Sequence, residues 1–585
     1  MRSFRWWLLW VLFAATPEVL GARLEIPLRV PLELVSIPLG EVYREGPCRH
    51  VTLDAPKIEA VGENLKLTSP GTGAIGVELL GKCQTAGDWR GTLEVTLKPG
   101  IDAAGVLRVR IVDSKLTDDR GSASPVPLLW ELGKPQIHSR IERFGYDLGA
   151  SREALIGMLR GAAPPEQGAA MEAMLRQIEV GTPRVEKTHV LVPVAMEVAD
   201  AWLAPPPPAA TSTAPLTEAE MEALEEALAP WDAFLAYAIR QIARDGKDPA
   251  LRQRLFTLLL DSRYRLSEVL SGDVVATGDP ARALFIETFN ELRAILADTT
   301  RYTLFIDAGD ALVALENAAP GLGMRLSADG LRQLARSLQP GEKGDPLALD
   351  WAVDPELREL FDVQEVREPA PRPRSSLDFF IKVAQEKQKA PDPEEIKRWL
   401  PKGDELADYQ KEVGAVLAGA AAGELQRTQL PAPHAKTYAY LIPTTALIES
   451  CWKHYVVRGG KATFLRSQSS SVGIMQINQR VWRGFYDVHR LRWDPAYNIE
   501  AGAQILMRYV KDYAIPYATK TGNPQHVPRA AYAVYNAGPR AVGRFAKQPP
   551  HPREARVDEK LWTLYQGISS GGQVDLKTCG IRDPG

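Results

Sequence analysis

The chain has 585 residues, too many for one hydrophobic core and enough for about three to four domains of ~150 residues each. Hydrophobic residues make up 45% of the chain and charged residues 24%, a composition typical of globular rather than disordered proteins. Lysine plus arginine (70) nearly balances aspartate plus glutamate (73). The overall charge therefore gives no indication of nucleic acid or another polyanion as a partner.

The first 22 residues have the layout of a secretory signal peptide. Arg2 and Arg5 precede a short apolar run, residues 6–15, and small residues stand just before Arg23. The apolar run is too short to span a bilayer comfortably, although an uncleaved anchor stays open. Because no later apolar stretch is long enough for a transmembrane helix, we expect an exported protein whose mature part begins near Arg23 and is soluble.

Four cysteines suit an oxidising, exported compartment: Cys48, Cys83, Cys451 and Cys579. Four cysteines allow three pairings, between which sequence alone does not decide. Proximity favours Cys48 with Cys83, which leaves Cys451 with Cys579. The spacing matches no zinc pattern, so we expect neither a metal nor another cofactor.

Residues 23–203 are predicted to form a β-rich domain that also contains a helix. In LEIPLRVPLEL, which begins at Leu24, apolar residues occupy every second position, the period of a strand with one buried face. Pro27 and Pro31 fall on the other face, and since proline cannot donate to a β-ladder, we expect an edge or interrupted strand.

Further elements of this domain follow the same reasoning. Alternating residues predict strands at 89–97 and 107–111, a helical stretch follows from about Ser151 to Val180, and an apolar strand is expected at 189–198. The proline-containing strands faintly resemble bacterial domains of the tubular lipid-binding type. That resemblance leaves a lipid or a protein partner open for this domain.

Composition divides the rest of the chain. Residues 204–215 are proline-rich and predict an extended linker. A helical region is expected at 216–366, where Thr217 and Glu220 form a capping-box pattern. Residues 367–430 are interpreted as linker and helical segments, with spacers at 368–376 and 385–395, and residues 431–585 as a C-terminal domain. The expected fold class is multidomain α+β.

The C-terminal domain carries an ordered series of short motifs. They are Glu449-Ser450, Gly473-Ile474-Met475-Gln476, Asp494-Pro495 with Asn498-Ile499 and Ala501-Gly502, and Tyr535-Asn536-Ala537-Gly538. Each motif alone is common. In this order and spacing they resemble the soluble lytic transglycosylase family, whose domain is similar to goose-type lysozyme. The resemblance covers roughly residues 435–570.

This resemblance implies an all-α, lysozyme-like domain that cleaves the glycan strands of peptidoglycan in the periplasm or cell envelope, with Glu449 as the catalytic glutamate. It implies that Tyr535 hydrogen-bonds and orients the Glu449 carboxylate. Ser450, Gln476 and Asn536 would hold the sugar or the loops around it, and Met475 would approach the site as an apolar surface. Together with Tyr535, these four residues form the expected set of substrate contacts.

Two departures from the family pattern accompany the resemblance. Ser470-Ser471 stands where family members commonly carry Gly-Ala, and the interval between Glu449 and Gly473 is longer than usual. The stretch around residues 458–460 is interpreted either as a loop at the rim of the groove or as a tolerated surface insertion.

Glu449 is the one clear catalytic carboxylate in the motif region. Asp494 precedes a proline at a helix start and is better explained as an N-cap, and Asp487 belongs to no motif. Glycosidases usually need two carboxylates. In the family mechanism the N-acetyl group of N-acetylmuramic acid assists departure at C1, and the C6 hydroxyl of the same sugar then attacks C1, so that one residue acts first as acid and then as base.

For that double role the pKa of Glu449 has to be raised by apolar surroundings, and Ala446 and Trp452 are expected to share its helical face. Two alternatives stay open. A lysozyme-like hydrolase using water would require a second carboxylate facing Glu449, and a non-catalytic peptidoglycan-binding scaffold would keep the fold without activity.

Overall fold

The computed structural model describes most of the chain, which folds into two compact units. The first comprises residues up to Pro207 together with Asp298–Gly341, and the second comprises Pro208–Ala297 together with Glu342–Gly585. The described residues are 23–32, 35, 37, 39–119, 126–204, 218–271, 280–296, 302–322, 327–339, 343–366, 400–401, 403, 405–548, 551–572, 574 and 576.

The first unit contains two antiparallel sheets. The strands are β1 (Arg23–Pro31), β2 (Gly40–Glu45), β3 (Arg49–Leu53), β4 (Lys57–Val61), β5 (Asn64–Leu79), β6 (Lys82–Ile101), β7 (Val106–Asp118), β8 (Tyr146–Asp147), β9 (Glu179–Val180), β10 (Arg184–Val185) and β11 (His189–Glu197). One sheet has the order β1-β11-β10, with β9 also on β11, and the other has the order β2-β3-β5-β6-β7-β8, with β4 on β5.

The first strand has the predicted position and pattern. Leu24, Ile26 and Leu28 are buried on one face of β1. Among the residues that the structure describes, the strand pairs only with β11, where Pro27 lies opposite Pro193. The expectation that its prolines place it at an edge is therefore confirmed.

The first unit also contains the helices α1 (Val126–Glu142), α2 (Gly149–Ala162), α3 (Gly168–Leu175), α7 (Thr303–Ala318) and α8 (Ala328–Leu338). The single helical stretch expected from about Ser151 to Val180 is wrong in detail. It is broken at Pro164 and Pro165, where a 3-10 turn separates α2 from α3, because proline lacks the N–H that a continuous helix requires. It ends before Glu179, which begins β9.

The second unit is mainly helical. Its helices are α4 (Glu218–Asp245), α5 (Pro249–Ser271), α6 (Pro280–Ile295), α9 (Pro355–Leu360), α10 (Leu406–Thr428), α11 (Ala432–Ser450), α12 (Val488–Trp493), α13 (Pro495–Tyr509), α14 (Ile515–Thr521), α15 (His526–Ala537) and α16 (Pro552–Ser569). A π-helical segment, Val510–Ala514, follows α13. Two small hairpins are formed by β12 (Tyr455–Arg458) with β13 (Lys461–Phe464) and by β14 (Ser471–Val472) with β15 (Ile477–Asn478).

The β-rich N-terminal part and the helical middle and C-terminal parts agree with the expected fold class. The helices expected as one region at 216–366 nevertheless divide between the two units. Helix α7 packs on β1 of the first unit, whereas α5 packs against α4 and α6 in the second. Each helix belongs to the unit whose core buries its apolar face. The order of the helices in the sequence does not show which unit that is.

Several sequence features lie outside the described residues. They are the leader at 1–22, residues 205–215 of the proline-rich segment, Thr217 of the capping box, the spacers at 368–376 and 385–395, and Cys579. Within the described ranges, no helix combines the length and apolar character needed to cross a membrane.

A disulfide joins Cys48, in the turn between β2 and β3, to Cys83 near the start of β6. This is the pairing favoured by their proximity in the sequence. Cys451 is also disulfide-bonded, and its pairing with Cys579 stays a prediction.

Replacing both Cys48 and Cys83 by serine should destabilise the first unit. The disulfide closes a loop with a sequence separation of 35, for which chain entropy predicts a loss of about 3–4 kcal/mol. Urea unfolding of the full chain should show a lower midpoint. The double serine variant is preferable to a reductant, which would also reduce Cys451. A midpoint equal to that of the wild type would contradict the expectation.

Candidate active site

Glu449 lies in the last turn of α11, which ends at Ser450. Cys451 and Trp452 both adopt positive φ angles, 53° and 59°, so the chain leaves the helical path immediately after Ser450. The expectation that Trp452 shares a helical face with Glu449 is therefore wrong. Trp452 turns back, and its indole Nε1 donates a hydrogen bond to the carbonyl of Pro443 at 3.0 Å.

The Glu449 carboxyl group receives one direct hydrogen bond from a tyrosine. The hydroxyl of Tyr532 on α15 donates to Glu449 Oε1 at 2.8 Å. Burial raises the pKa of Glu449 to about 7, although the Tyr532 hydrogen bond and the charges of Arg544 and Lys560 favour the ionised form. The carboxyl group is thus partly protonated near neutral pH.

The tyrosine expected to orient Glu449 is Tyr535, and the structure corrects that expectation. The Tyr535 hydroxyl donates instead to the carbonyl of Met475 at 2.6 Å. Tyr532 and Tyr535 lie three residues apart on α15 and so project from neighbouring positions of one face. Tyr532 contacts the catalytic helix, while Tyr535 fixes the loop that contains Met475.

The loop formed by residues 473–476 is held by side chains from several other segments. Ser450 Oγ donates to the carbonyl of Ile474 at 2.6 Å. Asn498 Oδ1 accepts from the Met475 amide at 2.9 Å, and its Nδ2 donates to the carbonyls of Val472 and Leu491, each at 3.0 Å. The motif residues Ser450 and Asn498 thus satisfy buried backbone groups in and around this loop.

His454 also supports this loop. Its Nδ1 accepts a 3.3 Å hydrogen bond from the amide of Ile474, and its Nε2 lies 3.0 Å from the carbonyl of Arg492. Burial lowers the pKa of His454 to about 4, so the ring is neutral, with Nε2 as the donor to Arg492. Sequence reasoning missed His454, and its only signal was its position five residues after Glu449.

The five predicted substrate contacts separate into two groups. Ser450, Met475 and Tyr535 are buried. The Met475 side chain packs so closely against Gly502 that a Cβ added to this glycine would lie 2.6 Å from Met475 Cβ. We expected Met475 to offer an apolar surface to the sugar. Its side chain is instead part of the core, because Gly502 on α13 lies against it.

Gln476 and Asn536 retain exposed surface. Gln476 has φ 46°, and its Nε2 donates to the carbonyl of Gly473 at 2.7 Å. Asn536 is exposed, and its Oδ1 accepts from Arg544 Nη1 at 2.8 Å. Arg544 in turn pairs with the buried carboxylate of Asp558. Both amides are thus held in fixed orientations with surface available to a ligand.

Two other carboxylates of the motif region cap helices. Asp494 accepts from the Tyr497 amide at 3.0 Å at the start of α13, which confirms its predicted role as an N-cap. Asp487 accepts from the Arg490 amide at 3.0 Å at the start of α12. Both carboxylates are therefore committed to backbone amides.

The interval after Glu449 contains a β-hairpin. Strands β12 and β13 pair from Tyr455↔Phe464 to Arg458↔Lys461, and Gly459 and Gly460 form the two-residue turn with positive φ angles of 56° and 73°. Two consecutive residues with positive φ are typical of the type I′ turn. The longer interval is thus an ordered element.

Residues 434–556 match the family model of the transglycosylase SLT domain, about a fifth of the chain. This match identifies the C-terminal helical region as a lytic transglycosylase domain of the lysozyme-like kind expected from the motifs. The domain supports, in general terms, lytic-transglycosylase-type cleavage of peptidoglycan glycan. No curated protein and no solved structure matches the chain.

Substituting Gly473 by alanine should destabilise the site more than substituting Gly460. Both glycines have positive φ, 76° and 73°. A Cβ at Gly473 would meet Asn498 Cγ at 2.6 Å, whereas a Cβ at Gly460 would meet nothing within 4 Å. Both variants bear the backbone strain of about 1–2 kcal/mol, and Gly473→Ala should lose about 1–3 kcal/mol more through overpacking.

Thermal unfolding followed by tryptophan fluorescence measures the difference between the two alanine variants. Gly460→Ala is the control for backbone strain without steric conflict. Equal melting temperatures would show that the Asn498 amide moves freely and does not hold the loop.

Proposed function

We propose that the protein is a peptidoglycan lytic transglycosylase in which Glu449 is the only catalytic carboxylate. It cleaves the β-1,4 bond between N-acetylmuramic acid and N-acetylglucosamine and leaves 1,6-anhydromuramic acid ends. The observation that carries the proposal is the raised pKa of Glu449, about 7, in a side chain that is only partly buried and receives its hydrogen bond from Tyr532.

In the first step Glu449 acts as the general acid. Its proton passes to the glycosidic oxygen as the bond from that oxygen to C1 breaks, and the N-acetyl group of the muramic residue assists the departure. A carboxyl group with a pKa near the working pH is suited to this transfer, because a useful fraction carries the proton and the proton is still readily released. Once ionised, Glu449 retains the Tyr532 hydrogen bond, which stabilises the anion.

In the second step the same carboxylate acts as the base. It takes the proton of the C6 hydroxyl while O6 forms a bond to C1, which closes the 1,6-anhydro ring and returns Glu449 to its protonated form. Over the two steps the bond from C1 to the glycosidic oxygen is exchanged for a bond from C1 to O6. The assisting N-acetyl oxygen leaves C1 as O6 bonds to it, and no water is consumed. Arg544 and Lys560 favour the ionised form between the two steps.

The environment of Glu449 supports one carboxylate rather than two. Among the described residues, the charged groups that shift its pKa are the cations Arg544 and Lys560. Asp494 and Asp487 cap helices, and Asp558 pairs with Arg544. A hydrolase that activates water needs a second carboxylate at the reacting sugar, and each of these three is committed elsewhere.

The proposal includes export to the periplasm or cell envelope and a role in cell-wall turnover or remodelling. It rests on the leader pattern of the first 22 residues and on the peptidoglycan substrate. N-terminal sequencing of the exported protein should give a start near Arg23, and a membrane fraction that retains Met1 would contradict cleavage.

Glu449→Gln should nearly abolish glycan cleavage, because glutamine keeps the shape of the side chain and has no transferable proton. General acid–base catalysis contributes about 10²- to 10⁴-fold, and both proton transfers are lost together. Mass spectrometry of wild-type digests should show 1,6-anhydro ends, which lack the elements of water that a hydrolase adds.

Glu500→Gln is the matched control, since burial also raises the pKa of Glu500 but its neighbours are Arg427 and Glu424. This variant should retain the product type and most of the activity. Full activity of Glu449→Gln would show that another group is the acid. Digests containing reducing ends alone would favour the hydrolase.

The pH dependence should follow the protonated form of Glu449. Cleavage is expected to fall as the pH rises through about 7, because the acid must carry its proton. Tyr532→Phe removes a hydrogen bond that lowers the pKa of Glu449, so the pKa should rise and the alkaline limb should move to higher pH.

Tyr535→Phe is the control for the pH shift, because its hydroxyl bonds Met475 rather than Glu449. It should leave the position of the limb nearly unchanged. A shift in the Tyr535 variant and none in the Tyr532 variant would contradict the assignment of the two tyrosines.

A further inference from the structure

Helix α5, Pro249–Ser271, lies outside the matched domain but packs within the same unit. Asp261, Tyr264 and Ser267 recur every third residue and so lie along one face of the helix. Each of the three makes a hydrogen bond to a motif segment of the catalytic domain or to a residue beside one.

Tyr264 contacts the end of α15. Its hydroxyl donates to the carbonyl of Tyr535 at 3.0 Å and lies 3.1 Å from the hydroxyl of Tyr509. The last four carbonyls of a helix have no partner within it, and the Tyr535 carbonyl belongs to this group because α15 ends at Ala537. Tyr264 is buried and therefore supplies the partner that water does not.

The ring of Tyr264 also explains the glycine of the last motif. Gly538 has φ 85°, and a Cβ there would lie 2.7 Å from Tyr264 Cδ2 and 2.8 Å from Tyr264 Cγ. Gly538 is thus needed both for its backbone conformation and for the close approach of a side chain from α5. A residue inside the matched domain is fitted to a residue outside it.

The neighbouring residues of the same face extend the contact. Ser267 Oγ donates to the carbonyl of Ser469 at 3.2 Å and accepts from Asn478 Nδ2 at 2.7 Å, at the hairpin that flanks the Gly473 loop. Asp261 Oδ1 accepts from the amide of Arg540 at 3.1 Å, just after Gly538. One face of α5 therefore holds both the β14–β15 hairpin and the turn after α15.

We propose that Tyr264 is a positioning residue for Glu449, an inference that rests on the proposed function. Its hydroxyl fixes the last turn of α15, and α15 carries Tyr532, which bonds the Glu449 carboxyl group. The active site is thus completed by a helix almost two hundred residues before the catalytic glutamate in the chain. Tyr264 acts through α15 and does not touch the reacting atoms.

Tyr264→Phe in the full chain tests this inference, because it keeps the ring against Gly538 and removes only the hydroxyl. The kcat on soluble glycan chains released from peptidoglycan should fall about fivefold to tenfold, the rate equivalent of one lost buried hydrogen bond. KM should change little. The alkaline limb of kcat should move to higher pH, in the same direction as in Tyr532→Phe, since the hydrogen bond to Glu449 is loosened.

Thr257→Val is the matched control on the same helix. The Thr257 hydroxyl lies 2.8 Å from the Tyr513 hydroxyl and so makes a similar contact with the same domain, away from the motif segments. This variant should keep the kcat and the pH limb of the wild type.

A double variant separates positioning from general stability. If Tyr264 acts through α15 and Tyr532, the variant Tyr264→Phe/Tyr532→Phe should be little slower than Tyr532→Phe alone, because coupled residues are not additive. Fully additive losses, or an unchanged kcat and pH limb in Tyr264→Phe, would overturn the inference.

Circular dichroism checks the folding of each variant. If Tyr264→Phe does not fold, Tyr509→Phe carries the test, since it removes the other hydroxyl of the pair. It should shift the pH limb less and in the same direction, and no shift would overturn the inference. Failure of the proposed function gives a different result, namely an active Glu449→Gln variant or wild-type digests without anhydro ends.

Discussion

A carboxyl group that donates a proton near neutral pH must be shielded from water and still be accessible to its substrate. Glu449 meets both conditions because it stands in the last turn of α11, with one side towards the domain core and part of its surface exposed. Desolvation raises its pKa to about 7, and the Tyr532 hydroxyl limits that rise. Without burial the group would be ionised at neutral pH, and without Tyr532 it would give up its proton less readily.

Much of the remaining site serves to hold this arrangement in place. Two side chains hold the backbone of Ile474: His454 accepts a hydrogen bond from its amide, and Ser450 donates one to its carbonyl. Asn498 makes three further hydrogen bonds with backbone groups. The motif residues that look like ligand contacts in the sequence are therefore in large part supports for a loop. This division leaves the partly exposed Gln476 and the exposed Asn536 as the motif amides with surface open to a ligand.

Sequence reasoning succeeds where one local rule decides the outcome. The alternation and prolines of β1, and the aspartate before Pro495, are sufficient to place an edge strand and a helix cap. The four motifs identify the domain because their order and spacing are rarer than any one of them, and the family match agrees.

The failures concern tertiary packing. Tyr532 and Tyr535 occupy neighbouring positions of one helix, so the rotation of α15 against α11 decides which of them bonds Glu449. Trp452 leaves the helical face because Cys451 adopts a left-handed conformation, which nothing in its residue type predicts. Tyr264 carries no motif, and its role depends on α5 packing against a domain far along the chain. The sequence signal for that contact was only the glycine at 538.

The most direct measurement of the central claim is the protonation state of Glu449 itself. Infrared difference spectra between the wild type and Glu449→Gln, recorded over a range of pH, isolate the C=O band of one protonated carboxyl group. The account predicts a band that disappears with a midpoint near pH 7. A midpoint near the ordinary glutamate value of about 4.3 would contradict it, because Glu449 would then be ionised at neutral pH and unable to act as the acid.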